Sequence, residues 1–545
     1  MNDKEKYSLI FGNSLYTTNS KNSDKYIIIY PDSNGFNDFG LDSKVFIKIV
    51  NKEINRDVLL KGFIGYINDH KKLNGKYALE LLIEEEEQGK KINNEEPYYF
   101  FTMLRELKYY RELVESFNPE EANEILLVIN DITLSARNLD SQKYKNIALD
   151  TDIFNKSFIR NSESYFSFKN SSSILKGLNF EGVGLLSKNI TLSAKSAQVP
   201  ALSFDFDHHS DLPKRVGILI GENGVGKSQA LRRISLAVIN GTDDIFEMNL
   251  IDKIKNRVQI NRLLAFSPTN ESKSIFPSDK IIKSKIWYKR FSLNRAQNRK
   301  GSANTNDIII ELARNTENIR GFSRFDIFKK AISNLKNNSE LALPVKRIDE
   351  DPILIVNLND YSEERRLQNY RAVDLSKDPV RYIGGKSHPL SSGEISFIRF
   401  CSQICANIEN GTLILLDEPE THLHPAFINK FFVILDSLLS QTGSSAIIAT
   451  HSVYFIREVF KEQVTVLRKN ENGVVELEKP RLSTFGANIG NISYFVFGES
   501  EPTDVLLEVK NRILKEKISW QDVYNKYKDD FSISVLTQLR NEIEE

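Results

Sequence analysis

Three short runs in this 545-residue chain hold side chains whose types and spacing suit chemistry on a phosphate. The first, GENGVGKS at 221–228, fits G-x-x-x-x-G-K-[ST] and lies between the apolar run RVGILI at 215–220 and an apolar-periodic stretch at 228–239. A strand, a glycine-rich loop and a helix in that order let backbone N–H groups curl inward around an anion. Gly221, Asn223, Gly224 and Gly226 would shape that cradle, Lys227 would reach the terminal phosphates, and the Ser228 hydroxyl would meet Mg²⁺. The second run, LILLDE at 413–418, is an apolar strand ending on two adjacent carboxylates. Desolvation penalises both of them, so their position makes sense beside a metal and a phosphate. Asp417 then suits a metal ligand, and Glu418 suits a group that polarises an attacking water. The third run, AIIATHS at 446–452, ends another apolar strand with Thr450 and His451. Open α/β sheets bind ligands at the carboxyl edge of their strands, which puts His451 where a γ-phosphate sensor would stand.

Strands alternating with apolar-periodic helices must hold these runs together. A helix with the stripe Ile398, Cys401, Cys405 and Ile408 precedes the carboxylate strand; a helix from Pro425 separates it from the strand of His451. Such alternation predicts a mostly parallel sheet with helices on its faces. Ahead of the first helix stands PLSSGEISFI at 389–398, where Ser391, Ser392, Gly393 and Glu394 open a helix with small residues. Ser391 and Glu394 have capping-box spacing, and bare N–H groups at such a start bind anions. Upstream, β-type runs are predicted at Tyr26 to Tyr30 and Val45 to Val50, and helices around 99–117 and 121–138. Strands are predicted again from about 163, at 190–194 and 201–207. Residues 241–380 read as a mixed insertion without sustained heptads, and 501–545 as a polar helical tail. The domains expected are therefore 1–150, a head at 151–500 containing that insertion, and the tail.

Composition narrows the classes. Lys plus Arg is 73 and Asp plus Glu is 73, so no chain-wide field exists to gather nucleic acid or acidic lipid. One stretch, 280–300, is locally basic, with Trp287, Tyr288 and Phe291 among its cations; it reads either as a nucleic-acid contact or as an ordinary strand with solvated lysines. Cys401 and Cys405 are the two cysteines, one helical turn apart, and fit a buried apolar helix face better than a metal site. His208 and His209, adjacent in a polar break, are expected in a surface turn. The start MNDKEKYS lacks an apolar signal core and no run approaches a membrane span, so a cytoplasmic protein without membrane contact is expected.

The four motifs resemble, in order, those of the ABC-type ATPase superfamily: GENGVGKS its Walker A loop, LSSGE its signature, LILLDE its Walker B strand and His451 its switch histidine. The resemblance implies an α/β head with an antiparallel β part, ATP and Mg²⁺ as cofactors, and head-to-head dimerisation. In such dimers the signature, here Ser391, Ser392, Gly393 and Glu394, reads the γ-phosphate held by the other subunit. Two positions depart from the pattern. His424 stands where transporters usually carry an Asp, and no glutamine stands clearly after the strand RLLAFSPTN, where a Q-loop would sit and Ser267, Thr269 and Asn270 are the polar candidates. The runs DEPETHLHP, IIATHSVYFIREV and STFGANIGNISYFVFG resemble the PtuA family, the ATPases of Septu antiphage systems, including those found with retrons. That family implies an HNH endonuclease partner and, in the retron-associated kind, a reverse transcriptase and its nucleic acid. It also implies an ATPase without nuclease activity of its own, whose hydrolysis can be slow. An ATP-driven DNA repair or recombination clamp is the alternative from a different class.

Overall fold

The computed structural model describes residues 7–14, 24–32, 43–67, 78–87, 100–134, 139–177, 186–195, 200–210, 212–249, 253–267, 275–279, 284–292, 304–347, 349–422, 425–470, 472–497, 504–516 and 519–544. Chain contacts divide it into two compact units, 1–485 and 486–545.

The core of the first unit is a seven-stranded sheet. Its order is Trp287–Ser292, Arg262–Ser267, Thr412–Asp417, Ser445–Thr450, Val216–Ile220, Val464–Lys469 and Val475–Glu478. Every neighbouring pair is parallel except the last. The strands Val216–Ile220, Thr412–Asp417 and Ser445–Thr450 are buried along their whole length, which is why they read as unbroken apolar runs. Alternate side chains serve opposite faces. Leu413 and Leu415 join the core beneath the helix Lys227–Asn240, through Leu231, Ile234 and Val238. On the other face Phe266 meets Phe400, which meets Phe431, fixing the helices Ser392–Asn407 and Pro425–Thr442 to the sheet. Each such fully buried side chain contributes roughly 1.5–3 kcal/mol.

This is the α/β head expected, with the antiparallel β part supplied by the four-stranded sheet Lys255–Asn256, Ile245–Met248, Asn189–Leu192 and Leu202–Asp205. The stretch 241–380 itself contributes two strands to the seven-stranded sheet, Arg262–Ser267 inside it and Trp287–Ser292 at its edge. Beyond residue 304 it builds helices and a small sheet that ends in the strand Lys386–Pro389, directly before Ser391. A separate five-stranded sheet, in chain order from Ser8–Phe11 to Phe100–Leu104, forms the amino-terminal region around its own core.

Several local expectations change. Residues 100–104 are a strand, and the helix begins at Leu107 and runs to Val128 through a kink at Asn118 and Pro119. Phe100–Leu104 is buried on both sides, so its pattern has no alternation by which to recognise it. Ser162–Ile174 is a helix rather than strand. Ser164, Ser167 and Ser171 lie on its buried side, which hides the helical period from a hydropathy reading. His208 is not in a surface turn: it is fully buried, with Nδ1 2.7 Å from Arg215, whose guanidinium also donates to the His208 carbonyl at 2.6 Å. His209 is exposed. Cys401 and Cys405 are free and buried, as the helix stripe predicts, and burial pushes the Cys405 thiol up to about 12.

The second unit contains the helices Ile489–Phe497, Asp504–Lys515, Trp520–Tyr527 and Ile533–Glu544. Ile513, Val523 and Leu539 close a small core of their own, with Val509, Trp520 and Val535 against it. No helix among the described residues is long and apolar enough to cross a membrane.

Candidate phosphate-binding site

The central sheet's order brings the three motif ends to one edge. Thr450 pairs with Ile220, the last residue before the glycine loop, and Asp417 pairs with Ala449. The strand of His451 thus lies between the loop strand and the carboxylate strand. In the loop, Gly224 has φ 77° and Gly226, the N-cap of the following helix, has φ 106°. Side chains rarely adopt such backbone conformations, so glycine is required at both. At Gly221 the reason is space, since a Cβ there would stand 2.3 Å from the Leu467 carbonyl oxygen. Asn223 and Gly224 are exposed at the loop tip. Lys227 is buried and donates to the carbonyls of Gly221 at 2.8 Å and Glu222 at 3.0 Å. The loop is folded about that ammonium at a helix N-terminus, a setting that suits an anion.

Ser228 donates to Asp417 at 2.8 Å, joining the helix start to the end of the carboxylate strand. Burial raises the Asp417 carboxyl to about 6, and Glu418 and Glu420 add to the rise, against the Ser228 bond and Lys227. A hydroxyl and a carboxylate are hard oxygen donors of the kind that bind Mg²⁺ together with nucleotide phosphates. Among the described residues no group of three or more His, Cys, Asp or Glu side chains could hold a metal, so this pair would need the phosphates to complete a shell.

Glu418 differs from its neighbour. Its side chain is 31% exposed, its φ is 42°, and its N–H donates to the Ala449 carbonyl at 2.8 Å. A left-handed backbone at a non-glycine residue costs on the order of 1–3 kcal/mol and clusters at functional sites. It turns the second carboxylate away from the one beside Ser228. His451 is half-exposed, with Nδ1 3.8 Å from Glu418 Oε1 and 3.2 Å from Glu420 Oε1. Glu420 went unassigned in the sequence. Its signal was Pro419, which begins the short helical turn Pro419–His422 and carries the third carboxylate back to the sheet edge.

Ser391 caps the helix Ser392–Asn407: its hydroxyl accepts from Glu394 N, and Glu394 Oε2 accepts from Ser391 N at 2.9 Å. Arg381 donates to the other Glu394 oxygen at 2.6 Å. Gly393 has neither a left-handed φ nor a crowded Cβ position, the nearest atom being 3.8 Å away on Phe427. Among the described residues nothing requires glycine there. His424, Thr269 and Asn270 lie outside the described residues; Ser267 is buried at the end of the strand beside Asp417's. Of the basic stretch, Lys280, Lys283, Arg295, Arg299 and Lys300 also lie outside them. Within them, Lys289 donates to Asn407, Arg290 to the Phe276 carbonyl, and Arg262 stacks over Trp287. In the strand Trp287–Ser292 the cations Lys289 and Arg290 are thus engaged, while Lys285, ahead of it, is exposed.

The Asp417 carboxyl gives a pH prediction. Its folded value, about 6, lies above its ordinary 3.8, so the folded chain binds this proton more tightly. The group therefore destabilises the nucleotide-free fold above about pH 6, and stability returns as pH falls toward 4. Asp417→Asn should stabilise that fold near neutral pH by up to roughly 3 kcal/mol and by much less near pH 4. Thermal unfolding at both pH values checks this; an equal gain at each would rule burial out as the cause.

Residues 218–457 match the family described as "AAA domain, putative AbiEii toxin, Type IV TA system". That span begins in the loop strand and contains the carboxylate strand, the helix Ser392–Asn407 and His451. Among curated proteins, the chain is similar to Protein ea59 of Escherichia phage lambda, 29% identical over 199 residues, 34% of this chain and 36% of that protein. It is also similar to the Old nuclease of Escherichia phage P2, 33% identical over 106 residues, 17% of each. UvrABC system protein A of Agrobacterium fabrum is 26% identical over 113 residues, 19% of this chain and 12% of that protein. The chain spans about a third or less of the length of these relatives. A solved Smc head bound to the C-winged helix domain of ScpA aligns with 55% of this chain and 97% of its own, at 13% identity and TM-score 0.30. The family match over residues 218–457 and the sheet-edge geometry together support an ATPase domain of the ABC/AAA type there.

Proposed function

We propose that this chain is the ATP-binding and ATP-hydrolysing subunit of an antiphage defence complex. In it two heads close face to face on ATP and Mg²⁺ and control a partner HNH endonuclease. The observation that carries the dimer is Gly393. A glycine that its own backbone and packing do not need, on a capped helix start with bare N–H groups, suits a surface that must admit another molecule's phosphate. Lys227, Ser228 and the loop glycines hold the phosphates within one head, Asp417 shares the metal, Glu418 polarises water and His451 senses the γ-phosphate. The defence role rests on the PtuA-like runs DEPETHLHP and STFGANIGNISYFVFG, with matches to two phage proteins beside them. It carries with it a cytoplasmic setting and, for the retron-associated kind, contact with a reverse transcriptase and its nucleic acid. The match to UvrABC system protein A favours a second reading, a DNA repair clamp without a nuclease partner. Co-purification with the products of adjacent genes separates the two: a small HNH protein supports defence, and a recombination enzyme supports the clamp.

Gly393→Asp tests the trans contact. A carboxylate added at the signature would face phosphate oxygens across a partly dry interface, where like charges repel strongly. ATP binding by the single head should survive, while ATP-dependent association and hydrolysis are lost. Mixing this variant with Lys227→Ala leaves one composite site without either lesion. Turnover that reappears on mixing supports the trans reading, and full turnover by Gly393→Asp alone defeats it.

A further inference from the structure

We propose that Glu420 is a positioning residue for His451: it holds the ring by Nδ1 so that Nε2 faces the terminal phosphate, and it thereby governs turnover rather than nucleotide binding. This deepens the ATPase reading of the same site and rests on it.

The Glu420 side chain is 7% exposed at the sheet edge, between the carboxylate strand and the strand of His451. Its Oε1 accepts from Thr450 Oγ1 at 2.5 Å and from the His451 backbone N–H at 2.9 Å, and lies 3.2 Å from His451 Nδ1. One oxygen thus ties the last residue of the strand, the next peptide and the imidazole into a single cluster. A carboxylate at that distance favours a proton on Nδ1 and so biases the tautomer and the plane of the ring. Nε2 is then left to face a phosphate oxygen, to which it donates once the ring takes up its second proton, on a ring that is 48% exposed. Glu418 Oε1, at 3.8 Å from the same Nδ1, is beyond hydrogen-bond range. Glu420 rather than Glu418 therefore orients the histidine, and Glu418 keeps its oxygens for water.

Two further facts point into the site. Glu420 Oε2 is buried with no hydrogen-bond partner among the described residues, which is costly unless a bound nucleotide's surroundings supply a donor. The charge of Glu420 also acts on both Lys227 and Asp417, so it stands within electrostatic reach of the phosphate loop and the metal ligand. An apolar residue would satisfy a purely structural turn better than a half-paired buried carboxylate.

Steady-state hydrolysis by Glu420→Ala, Glu420→Gln, His451→Ala and the Glu420→Ala/His451→Ala pair tests this, together with ¹⁵N spectra of the His451 ring. Glu420→Ala should lower kcat by roughly 10- to 100-fold, about as much as His451→Ala, with KM for ATP within about twofold. In the His451→Ala background the same change should lower kcat by less than about twofold, because both act through one ring. Glu420→Gln, which keeps an oxygen acceptor, should recover part of the loss. The wild-type ring should show one tautomer with Nδ1 protonated, and Glu420→Ala a mixture. Additive losses in the double variant, or a raised KM with kcat unchanged, would overturn the proposal. An unchanged ring spectrum in Glu420→Ala would overturn it as well. Should Glu420→Ala not fold, Glu420→Gln decides, since its ring spectrum and kcat must move together. A wild-type protein that hydrolyses no ATP would defeat the ATPase reading instead, and the ring spectra would still decide whether Glu420 sets the histidine.

Discussion

Glu418→Gln is expected to slow ATP hydrolysis by roughly 10²- to 10⁴-fold while ATP still binds, because a general base or water-orienting carboxylate contributes on that scale. Neighbouring carboxylates usually compete for one role; here the fold separates them. Asp417 ends the buried strand, hydrogen-bonded to Ser228 and almost inaccessible. Glu418 follows after a backbone turn into the left-handed region and presents its side chain partly to solvent. Glutamine preserves the shape, the turn and the N–H bond to Ala449, so the fold should be unaffected and the loss should fall on turnover. Phosphate release and nucleotide binding, measured on one preparation, check both halves. Unchanged turnover would make ATP a slowly hydrolysed structural ligand, or assign the water to another group.

The candidate site was legible because each of its residues breaks a local rule that packing alone would enforce. Glycines at two left-handed positions, a lysine buried at a helix start and two carboxylates at the end of a buried strand all conflict with simple packing. Such conflicts are visible in a sequence without any coordinates. Glu420 was not, because it obeys no spacing rule of its own: its reach depends on Pro419 turning the chain and on a strand distant in sequence. His208 was misplaced for a related reason, its buried contacts being with Arg215, in the turn before the strand Val216–Ile220, rather than with its immediate neighbours. In the amino-terminal region the fold was only partly legible. A strand buried on both faces and a helix that buries serines both lack the hydropathy period from which elements are read.

Glu409→Ala is expected to destabilise the first unit by about 3–5 kcal/mol, the scale on which removing one member of a buried ion cluster strands its partners. Glu409 sits between the signature helix and the carboxylate strand, buried with two arginines that are themselves almost wholly inaccessible. Arg111, from the amino-terminal helix Leu107–Val128, pairs with one of its oxygens and also donates to Asn410 Oδ1 and the Asn318 carbonyl. Arg324 Nη2 lies 3.3 Å from the other oxygen, and its Nη1 donates to the Cys405 and Ile408 carbonyls at the end of the helix Ser392–Asn407. Burial alone would raise the Glu409 carboxyl, but Arg111, Arg324 and Arg262 hold it down at about 2. The sign follows: this stabilisation is complete above the ordinary carboxyl value of 4.5 and is lost as pH falls from there through about 2. Urea unfolding near neutral pH should therefore separate Glu409→Ala from wild type, and the gap should narrow in acid. Replacing Glu409, Arg111 and Arg324 together by apolar residues of similar volume should cost far less than the single change, because the one carboxylate left without its partner, Glu317, is 44% exposed rather than buried. A triple variant as unstable as Glu409→Ala would mean that the cluster is held by its neutral contacts to Asn410, Asn318, Cys405 and Ile408 instead. The ion pairs would then fix only where the amino-terminal helix meets the strand that carries Asp417.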